Sequence, residues 1–273
     1  MTAPGEIAAA DFVGEDGLIH CGICGEPKQA VISKPRELFG REMETTYPVQ
    51  CACEREASAR AIAEHEEKQR LEAIERMRFS CFPYAVMMGD TFAKDDGKEP
   101  KVTSLCEKYA DNFERFLDAG AGLMLYGAVG SGKTFLASCI ANRVIDQGFT
   151  ALFTSLSVLG SKMQADFGKE KLSILDRLCE YDLVVLDDLG VERTTPTMAE
   201  NSYQVINALY QSGTAMVLTT NNDVSIMQKE QEPEKVRIYS RILECCKPVH
   251  VSGGDRRKAK AREKAALFKE VLG

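Results

Sequence analysis

The sequence contains no apolar run that approaches the ~18 residues needed to cross a membrane. Its first twenty residues also lack the positive start and apolar centre of a signal peptide, and carry Glu6, Asp11, Glu15 and Asp16 instead. We therefore expect a cytoplasmic protein with no membrane partner. A net basic charge is missing as well, since 34 Lys and Arg stand against 41 Asp and Glu, a balance of −7. This balance argues against a protein that coats nucleic acid generally, although it is compatible with a local basic surface.

The length and composition predict a globular protein. A chain of 273 residues with 44% hydrophobic content can bury a substantial core, and the length suggests one ordinary domain and a smaller one. In a reducing compartment its ten cysteines are not expected to form a disulfide framework. Clustered cysteines are therefore candidate metal ligands, and scattered ones are candidate small core residues.

Four cysteines form two close pairs near the start of the chain. Cys21 and Cys24 are followed, after a turn-rich loop, by Cys51 and Cys53. Four thiolates at this spacing fit one tetrahedral Zn²⁺, and a unit too small for a real core needs such a support. Buried or free thiols and a redox pair are the alternatives. His20 adjoins the first cysteine and is interpreted as incidental.

The segments around the cysteines suggest an order of modules. Residues 1–19 are interpreted as a mobile arm, and residues 20–80 as the zinc-binding module with a helix that docks a partner protein or merely connects two modules. The helix is predicted from about Glu54 to Phe79, where Glu, Arg, Lys and Ala are dense and Gly and Pro are absent. Phe82-Pro83 then marks a boundary.

A phosphate-binding loop follows near the middle of the chain. The motif G-x-x-x-x-G-K-[ST] stands between a predicted buried strand, residues 122–126, and a predicted helix, residues 135–145. Its glycines allow successive backbone N–H groups to face a polyphosphate. Lys133 is predicted to reach the β and γ phosphates of ATP, and the Thr134 hydroxyl to ligate Mg²⁺. The nucleotide-binding residues are Gly127, Ala128, Val129, Gly130, Ser131, Gly132, Lys133 and Thr134.

Polar side chains end two later apolar strands. Asp187 and Asp188 follow one strand, and Asn221 follows the next. In a parallel sheet the carboxyl ends of strands share one edge, which is also the edge where the phosphate loop opens. We expect Asp187 to hold Mg²⁺ through water, Asp188 to orient or deprotonate the attacking water, and Asn221 to hold that water from the other side. An acid pair in solvent and a simple turn asparagine are the alternatives.

These motifs occur in the order found in AAA+ ATPases. The phosphate loop, Leu-Asp-Asp-Leu-Gly190, Thr219-Thr-Asn221 and Arg237-Ile-Tyr-Ser-Arg-Ile-Leu-Glu244 together resemble the replicative helicase loaders of the DnaC and DnaI type, which are close to IstB-type transposition helpers. The resemblance covers roughly residues 80–258. It implies an α/β fold, a three-layer P-loop AAA+ domain with a central parallel sheet over residues 81–258, followed by a basic C-terminal helix over residues 259–273.

The resemblance also assigns roles to residues. It makes Asp187 and Asp188 the Walker B acids, Asn221 sensor 1, and Arg241 the arginine finger that acts on ATP bound by a neighbouring subunit, with Arg237 as the alternative. Among the last arginines it places sensor 2 at Arg257, with Arg256 close behind. Many AAA+ proteins have Glu where Asp188 stands, so the efficiency of Asp188 as a base is left open.

By the same resemblance we expect slow ATP hydrolysis, stimulated by DNA or a partner, self-association through the AAA+ domain, and a hexameric replicative DNA helicase that is delivered onto single-stranded DNA. The basic run of residues 256–264 and the side chains of Lys162, Lys169 and Lys171 are candidate DNA contacts. Two other functions are compatible with the sequence. One is an IstB-like ATPase that regulates a transposase, and the other is an ATP-binding adaptor with little turnover.

Overall fold

The computed structural model describes residues 11–34, 43–165, 169–190 and 195–272. Within these ranges the side chains of a few helix and strand residues, Lys169, Lys171 and Arg257 among them, lie outside the description. The chain divides into two compact units, Met1–Leu71 and Glu72–Gly273. Each unit is described by itself below.

The first unit consists of two small antiparallel sheets and the greater part of a long helix. Strands β1 and β2 pair through Phe12 opposite His20, and β3 and β4 pair along six residues each. Helix α1 continues without a break into the second unit. The elements are β1 (Phe12–Val13), β2 (Ile19–His20), β3 (Gln29–Lys34), β4 (Met43–Pro48) and α1 (Ala52–Cys81).

Residues 11–19, which were expected to belong to a mobile arm, form most of a short hairpin in the structure. The Phe12 ring stacks on the His20 ring with their centroids 5.6 Å apart, and the backbone of Gly14 donates a hydrogen bond to the carbonyl of Leu18. These contacts form a hairpin that composition alone did not reveal. Residues 1–10 of the expected arm lie outside the described residues.

The second unit contains five strands and nine helices in its described residues. Two short 3-10 turns, Ala85–Gly89 and Phe92–Lys94, precede the first of these strands. The strands are β5 (Gly122–Tyr126), β6 (Ala151–Thr154), β7 (Leu183–Leu189), β8 (Ala215–Thr220) and β9 (Cys246–His250). The helices are α2 (Pro100–Asp111), α3 (Phe113–Asp118), α4 (Lys133–Asp146), α5 (Leu156–Ala165), α6 (Lys169–Cys179), α7 (Pro196–Ser212), α8 (Val224–Gln228), α9 (Pro233–Cys245) and α10 (Arg256–Leu272).

The five strands form one parallel sheet in the order β6-β7-β8-β5-β9. Parallel strands that are covered on both faces are apolar throughout, and every residue of β8 is buried here. One hydrophobic cluster joins the sheet to α2 and α4, and a second joins it to α5, α7 and α9. The α/β fold with a central parallel sheet, predicted from the sequence, is therefore confirmed.

The sheet topology positions the functional residues. Strand β5 is flanked by β8 and β9, and β8 is flanked by β7, so the ends of β5, β7 and β8 are neighbours at the carboxyl edge of the sheet. The loop between β5 and α4 opens at that edge. The last helix, α10, begins at Arg256 instead of residue 259, so the expected domain boundary falls inside it. Among the described residues, none of the helices combines the length and apolar character that a membrane span requires.

Candidate functional site

The phosphate loop is held between the ends of two strands. The backbone N–H of Gly127 donates to the carbonyl of Thr220 in β8 (3.3 Å), and the N–H of Val251 donates to the carbonyl of Tyr126 (2.8 Å). Gly127 has φ 145°, and a Cβ at this position would lie 2.3 Å from the carbonyl oxygen of Val251. A side chain is excluded there because the clash is with backbone atoms.

The Lys133 ammonium group lies at the centre of the loop. The residue is only 5% exposed, and its Nζ donates to the carbonyls of Gly127 (3.0 Å) and Ala128 (2.9 Å) and to Oδ1 of Asn221 (2.9 Å). A buried ammonium needs such acceptors because it has given up its hydration. The contact brings Asn221, at the end of β8, to the phosphate loop, as its position after a strand predicted.

The Thr134 hydroxyl and the Asp187 carboxylate meet at the first turn of α4. Thr134 Oγ1 donates to Asp187 Oδ1 (3.0 Å), and Thr219 Oγ1 donates to the same oxygen (2.6 Å). Burial raises the pKa of Asp187, while the two hydroxyl hydrogen bonds act in the opposite direction. A hydroxyl and a carboxylate placed side by side are oxygen ligands of the kind that Mg²⁺ prefers, so these residues fit that ion. From the sequence, Thr219 was named only within the motif Thr219-Thr-Asn221 and received no role of its own, because a threonine inside a strand gives no distinct signal.

Asp188 occupies an unusual backbone position. It has φ 57°, in the left-handed region, and the pairing of β7 with β8 shifts register between Leu186 and Leu189. Its N–H donates to Thr219 Oγ1 (2.9 Å), and its side chain is exposed. Backbone strain of this kind is concentrated at functional sites. The bulge directs the two adjacent carboxylates to different surroundings, one partly buried and one in solvent.

Of the two arginines at the start of α10, the structure places Arg256 at the phosphate loop. The backbone N–H of Arg256 donates to the carbonyl of Gly130 (2.9 Å). Its guanidinium packs against Gly132 so closely that a Cβ on Gly132 would lie 2.7 Å from Nη1. Its guanidinium pairs with the carboxylates of Asp95 (3.3 Å) and Asp96 (3.1 Å), while the buried Nε has no hydrogen-bond partner.

The expectation named Arg257 as the residue in this position, with Arg256 as the alternative. The Arg257 side chain lies outside what the structure describes. Adjacent residues on a helix point about 100° apart, and the sequence alone does not fix which one faces the loop.

Arg241, the predicted finger, contacts two tyrosines of its own chain. Its guanidinium carbon lies 4.9 Å from the centroid of the Tyr203 ring and 5.8 Å from that of Tyr210, and its Nη2 donates to the Tyr203 hydroxyl (3.2 Å). Stacking on aromatic faces is a favoured arrangement for arginine. Arg237, the alternative, is exposed. The role of either arginine stays a prediction, because it depends on a neighbouring subunit.

The four predicted cysteines meet in the first unit. Their Sγ atoms all lie within 4.8 Å of one another, and Cys53 Sγ is 3.3 Å from those of Cys21 and Cys51 and 3.6 Å from that of Cys24. Tetrahedral zinc with Zn–S bonds of about 2.3 Å places sulfurs about 3.8 Å apart, so the group fits such an ion. Backbone N–H groups lower the pKa of Cys21 and lower the pKa of Cys24 to about 6.

Side chains around the cysteines support this arrangement. The carboxylate of Glu26 accepts from the N–H of Ala52 (2.7 Å) at the start of α1 and pairs with Arg55 (2.8 Å). His20 instead faces Asp16 and the carbonyl of Gly25, at 3.0 Å each, which agrees with its interpretation as incidental. Among the described residues, the four cysteines form the one group of three or more Cys, His, Asp or Glu side chains that are close enough together to hold a metal ion.

The fold and the loop geometry define a P-loop protein of the AAA+ type. Residues 57–265 match the family of IstB-like ATP binding proteins, and the chain belongs to that family. The family supports ATP binding at the loop described above.

Individual relatives come from two groups. An insertion sequence ATP-binding protein of Sinorhizobium fredii is 32% identical over 161 residues, which are 58% of this chain and 53% of the relative. The replicative helicase loader DnaI of Bacillus subtilis is 24% identical over 190 residues, 63% of this chain and 59% of the relative. The chain thus spans little more than half of either relative. The crystal structure of the DnaC helicase loader shares the fold, with a TM-score of 0.54, 20% identity and coverage of 62% of this chain and 100% of that chain.

The position of Gly127 generates a first prediction. Gly127→Ala should weaken ATP binding by roughly tenfold or more, about 1.4 kcal/mol, because the added methyl group collides with the Val251 carbonyl and displaces the loop. Titration with a fluorescent ATP analogue measures the affinity. Gly148→Ala is the matched control, since Gly148 also has a positive φ (95°) but open space around its Cβ position. Equal affinities for the two variants would contradict the steric argument.

The raised pKa of Asp187 generates a second prediction. A raised pKa means that the folded protein binds the proton more tightly than the unfolded chain, so stability falls as the pH rises through the folded value. Asp187→Asn should therefore raise the melting temperature of the nucleotide-free protein at neutral pH. The gain should shrink as the pH falls towards 3.8, the ordinary pKa of the group. Thermal unfolding at several pH values checks this, and a variant less stable than wild type at pH 7 would contradict it.

Proposed function

We propose that the protein is an ATP-dependent loader that binds a hexameric replicative DNA helicase and delivers it onto single-stranded DNA. The observation that favours this function is the combination of a nucleotide site with a separate cysteine unit whose surface carries apolar side chains. Ile23, between the first two cysteines, is 82% exposed. Exposed apolar side chains next to a rigid metal site are suited to a protein partner. The other exposed ones among the described residues of this unit are Phe12, Val13, Val31, Ile32 and Tyr47, which precede α1, and Ile62 and Leu71 on α1.

In this proposal the nucleotide site hydrolyses ATP slowly. Mg²⁺, held by Thr134 and through water by Asp187, would neutralise charge on the β and γ phosphates. Lys133 would exchange its bonds to the loop carbonyls for phosphate oxygens, and Asn221 is already within hydrogen-bond distance of Lys133. Asp188 is the candidate base, because its exposed carboxylate stands beside the site on a strained backbone.

Self-association would connect the nucleotide site of one subunit with a neighbouring copy of the chain. Arg241 is half-buried on α9, held by Tyr203 and Tyr210, and is proposed to reach ATP bound by the next subunit. Arg256 is proposed to contact phosphate within its own subunit, since its Nε donor is buried at the loop without a partner. Single-stranded DNA is proposed to follow basic residues, with Lys162 and the helix α10 as candidates.

A second function is favoured by the family match itself. The insertion sequence relative is more similar in sequence than DnaI, so an IstB-like ATPase that regulates a transposase is the alternative. Both functions use the same nucleotide site and differ in the protein that the first unit binds. The experiment below distinguishes them by partner.

The loader function predicts a complex with the helicase of the organism that encodes the chain. The full-length protein with ATP and Mg²⁺ should co-elute with this helicase from a sizing column and should increase helicase bound to single-stranded DNA. Ile23→Asp should abolish co-elution. Val86→Asp should not, because Val86 is a similarly exposed apolar side chain (78% against 82% for Ile23) that lies in the second unit. Absence of a complex at micromolar concentrations, together with co-elution of an insertion sequence transposase, would establish the alternative.

The cysteine cluster predicts one structural zinc ion. Metal analysis of the purified protein should give about one Zn per chain, and the double change Cys21→Ser/Cys51→Ser should lose it, because two ligands do not retain a closed tetrahedral site. Cys179→Ser is the control, since Cys179 lies outside the cluster. A folded wild-type protein without metal would contradict the assignment.

A further inference from the structure

A large groove lies at the amino ends of β5 and β9. It has a volume of about 1260 Å³ and is lined by α2, α3 and the junction between α9 and β9. The phosphate loop follows the carboxyl end of β5, so the groove and the nucleotide site lie at opposite ends of the same strand. Nothing in the function proposed above uses this groove.

The floor of the groove is apolar. Leu105 and Leu243 line it together with Pro248, and the ring of Phe116 is 37% exposed there. The Phe116 ring centroid lies 4.7 Å from that of Tyr109, whose hydroxyl donates to the carbonyl of Ala121 (2.9 Å). These contacts hold Tyr109 beside Phe116. An exposed phenylalanine on an apolar floor fits a protein partner, because aromatic residues are enriched in the core of protein interfaces.

The rim of the groove is positively charged. Lys101, Lys108, Arg115 and Lys247 are all exposed, and within the described residues none of them makes a salt bridge. The one carboxylate of the lining, Glu244, accepts a hydrogen bond from the Tyr210 hydroxyl (2.7 Å). The lining thus carries four cationic side chains and one carboxylate, which is a local excess of positive charge in a chain whose net charge is −7. Charge complementarity therefore favours an acidic ligand.

The geometry favours a helix over a strand as the ligand. Lys101 and Lys108 are seven residues apart on α2, about 10.5 Å along the axis, which matches carboxylates at heptad spacing on a facing helix. Strand β9 is the edge of the sheet, but Lys247 and Pro248 are residues that protect an edge from strand addition. Single-stranded DNA is less suited, because Phe116 alone presents an exposed aromatic ring, whereas such grooves stack successive bases.

We propose that this groove binds an acidic amphipathic helix of a partner protein, with apolar side chains on the floor and carboxylates facing Lys101, Lys108, Arg115 and Lys247. The inference goes beyond the loader function and does not depend on it. Because the last turn of α9 lines the groove and the same helix carries Arg241 one turn earlier, a bound helix would contact the element that presents the predicted finger.

Fluorescence anisotropy with a labelled probe peptide tests the proposal on the full-length protein. The probe is a peptide of about three heptads, with Leu on one face and Glu on the other. Comparison probes are a scrambled peptide of the same composition, a peptide with Lys in place of Glu, and labelled oligothymidylate. The variants are Lys108→Glu/Arg115→Glu on the rim and Phe116→Ser on the floor. The matched control is Lys68→Glu/Lys229→Glu, which changes the net charge equally at exposed lysines outside the groove.

We expect the acidic amphipathic peptide to bind with micromolar affinity. The scrambled and Lys-containing peptides should bind at least tenfold more weakly. The rim variant and the floor variant should each lose roughly tenfold in affinity, while the control retains it. An unchanged melting temperature and unchanged binding of an ATP analogue show that each variant is folded. Equal binding of the scrambled peptide, equal loss in the control, or no binding would overturn the proposal. Oligothymidylate binding or self-association lost only in the rim variant would assign the groove instead to nucleic acid or to a second copy.

Discussion

The nucleotide site depends on the hydrogen bonds of the buried Lys133 ammonium group. A positive charge that is removed from water must be matched by acceptors, and here they come from the phosphate loop and from Asn221 at the end of β8. These acceptors are in place only because β5 and β8 are adjacent and parallel. Pairing of the apolar strands β5 and β8 thus determines how their carboxyl ends are placed. That placement in turn sets the distances among Lys133, Asn221 and the phosphate loop.

A second set of contacts connects this edge to more distant parts of the chain. Thr219 bonds both to the carboxylate of Asp187 and to the N–H of Asp188, so one hydroxyl supports two consecutive acids. Arg256 joins the start of the last helix to the loop and to Asp95 and Asp96, which precede α2. A rearrangement of the phosphate loop would therefore alter the contacts of Arg256 at the start of α10, and through them those of Asp95 and Asp96.

The sequence predicted the parts of the structure that follow from local chemistry. The phosphate loop, the apolar strands and the polar residues at their ends have patterns that few other arrangements produce, and the structure brings Lys133, Thr134, Asp187 and Asn221 together. The four cysteines also meet as their spacing suggested.

The hairpin of residues 11–20 was missed because it depends on a ring contact and a few backbone hydrogen bonds rather than on composition. The position of Arg256 was not fixed either, because it is set by tertiary packing of the start of α10 against Gly132. The groove beside β9 had no sequence signature, since its residues come from three separate segments.

Calorimetric titration of the wild-type protein and of Lys133→Ala with Mg²⁺ and a non-hydrolysable ATP analogue would show whether the loop between β5 and α4 binds the nucleotide. We expect one site per chain in the wild type. In the variant, binding should weaken by roughly a hundredfold or more, about 2.7 kcal/mol, because the triphosphate loses its buried cation. Lys162→Ala, an exposed lysine on α5, should bind as the wild type does. Equal affinities of wild type and Lys133→Ala would show that the loop between β5 and α4 is not the nucleotide site.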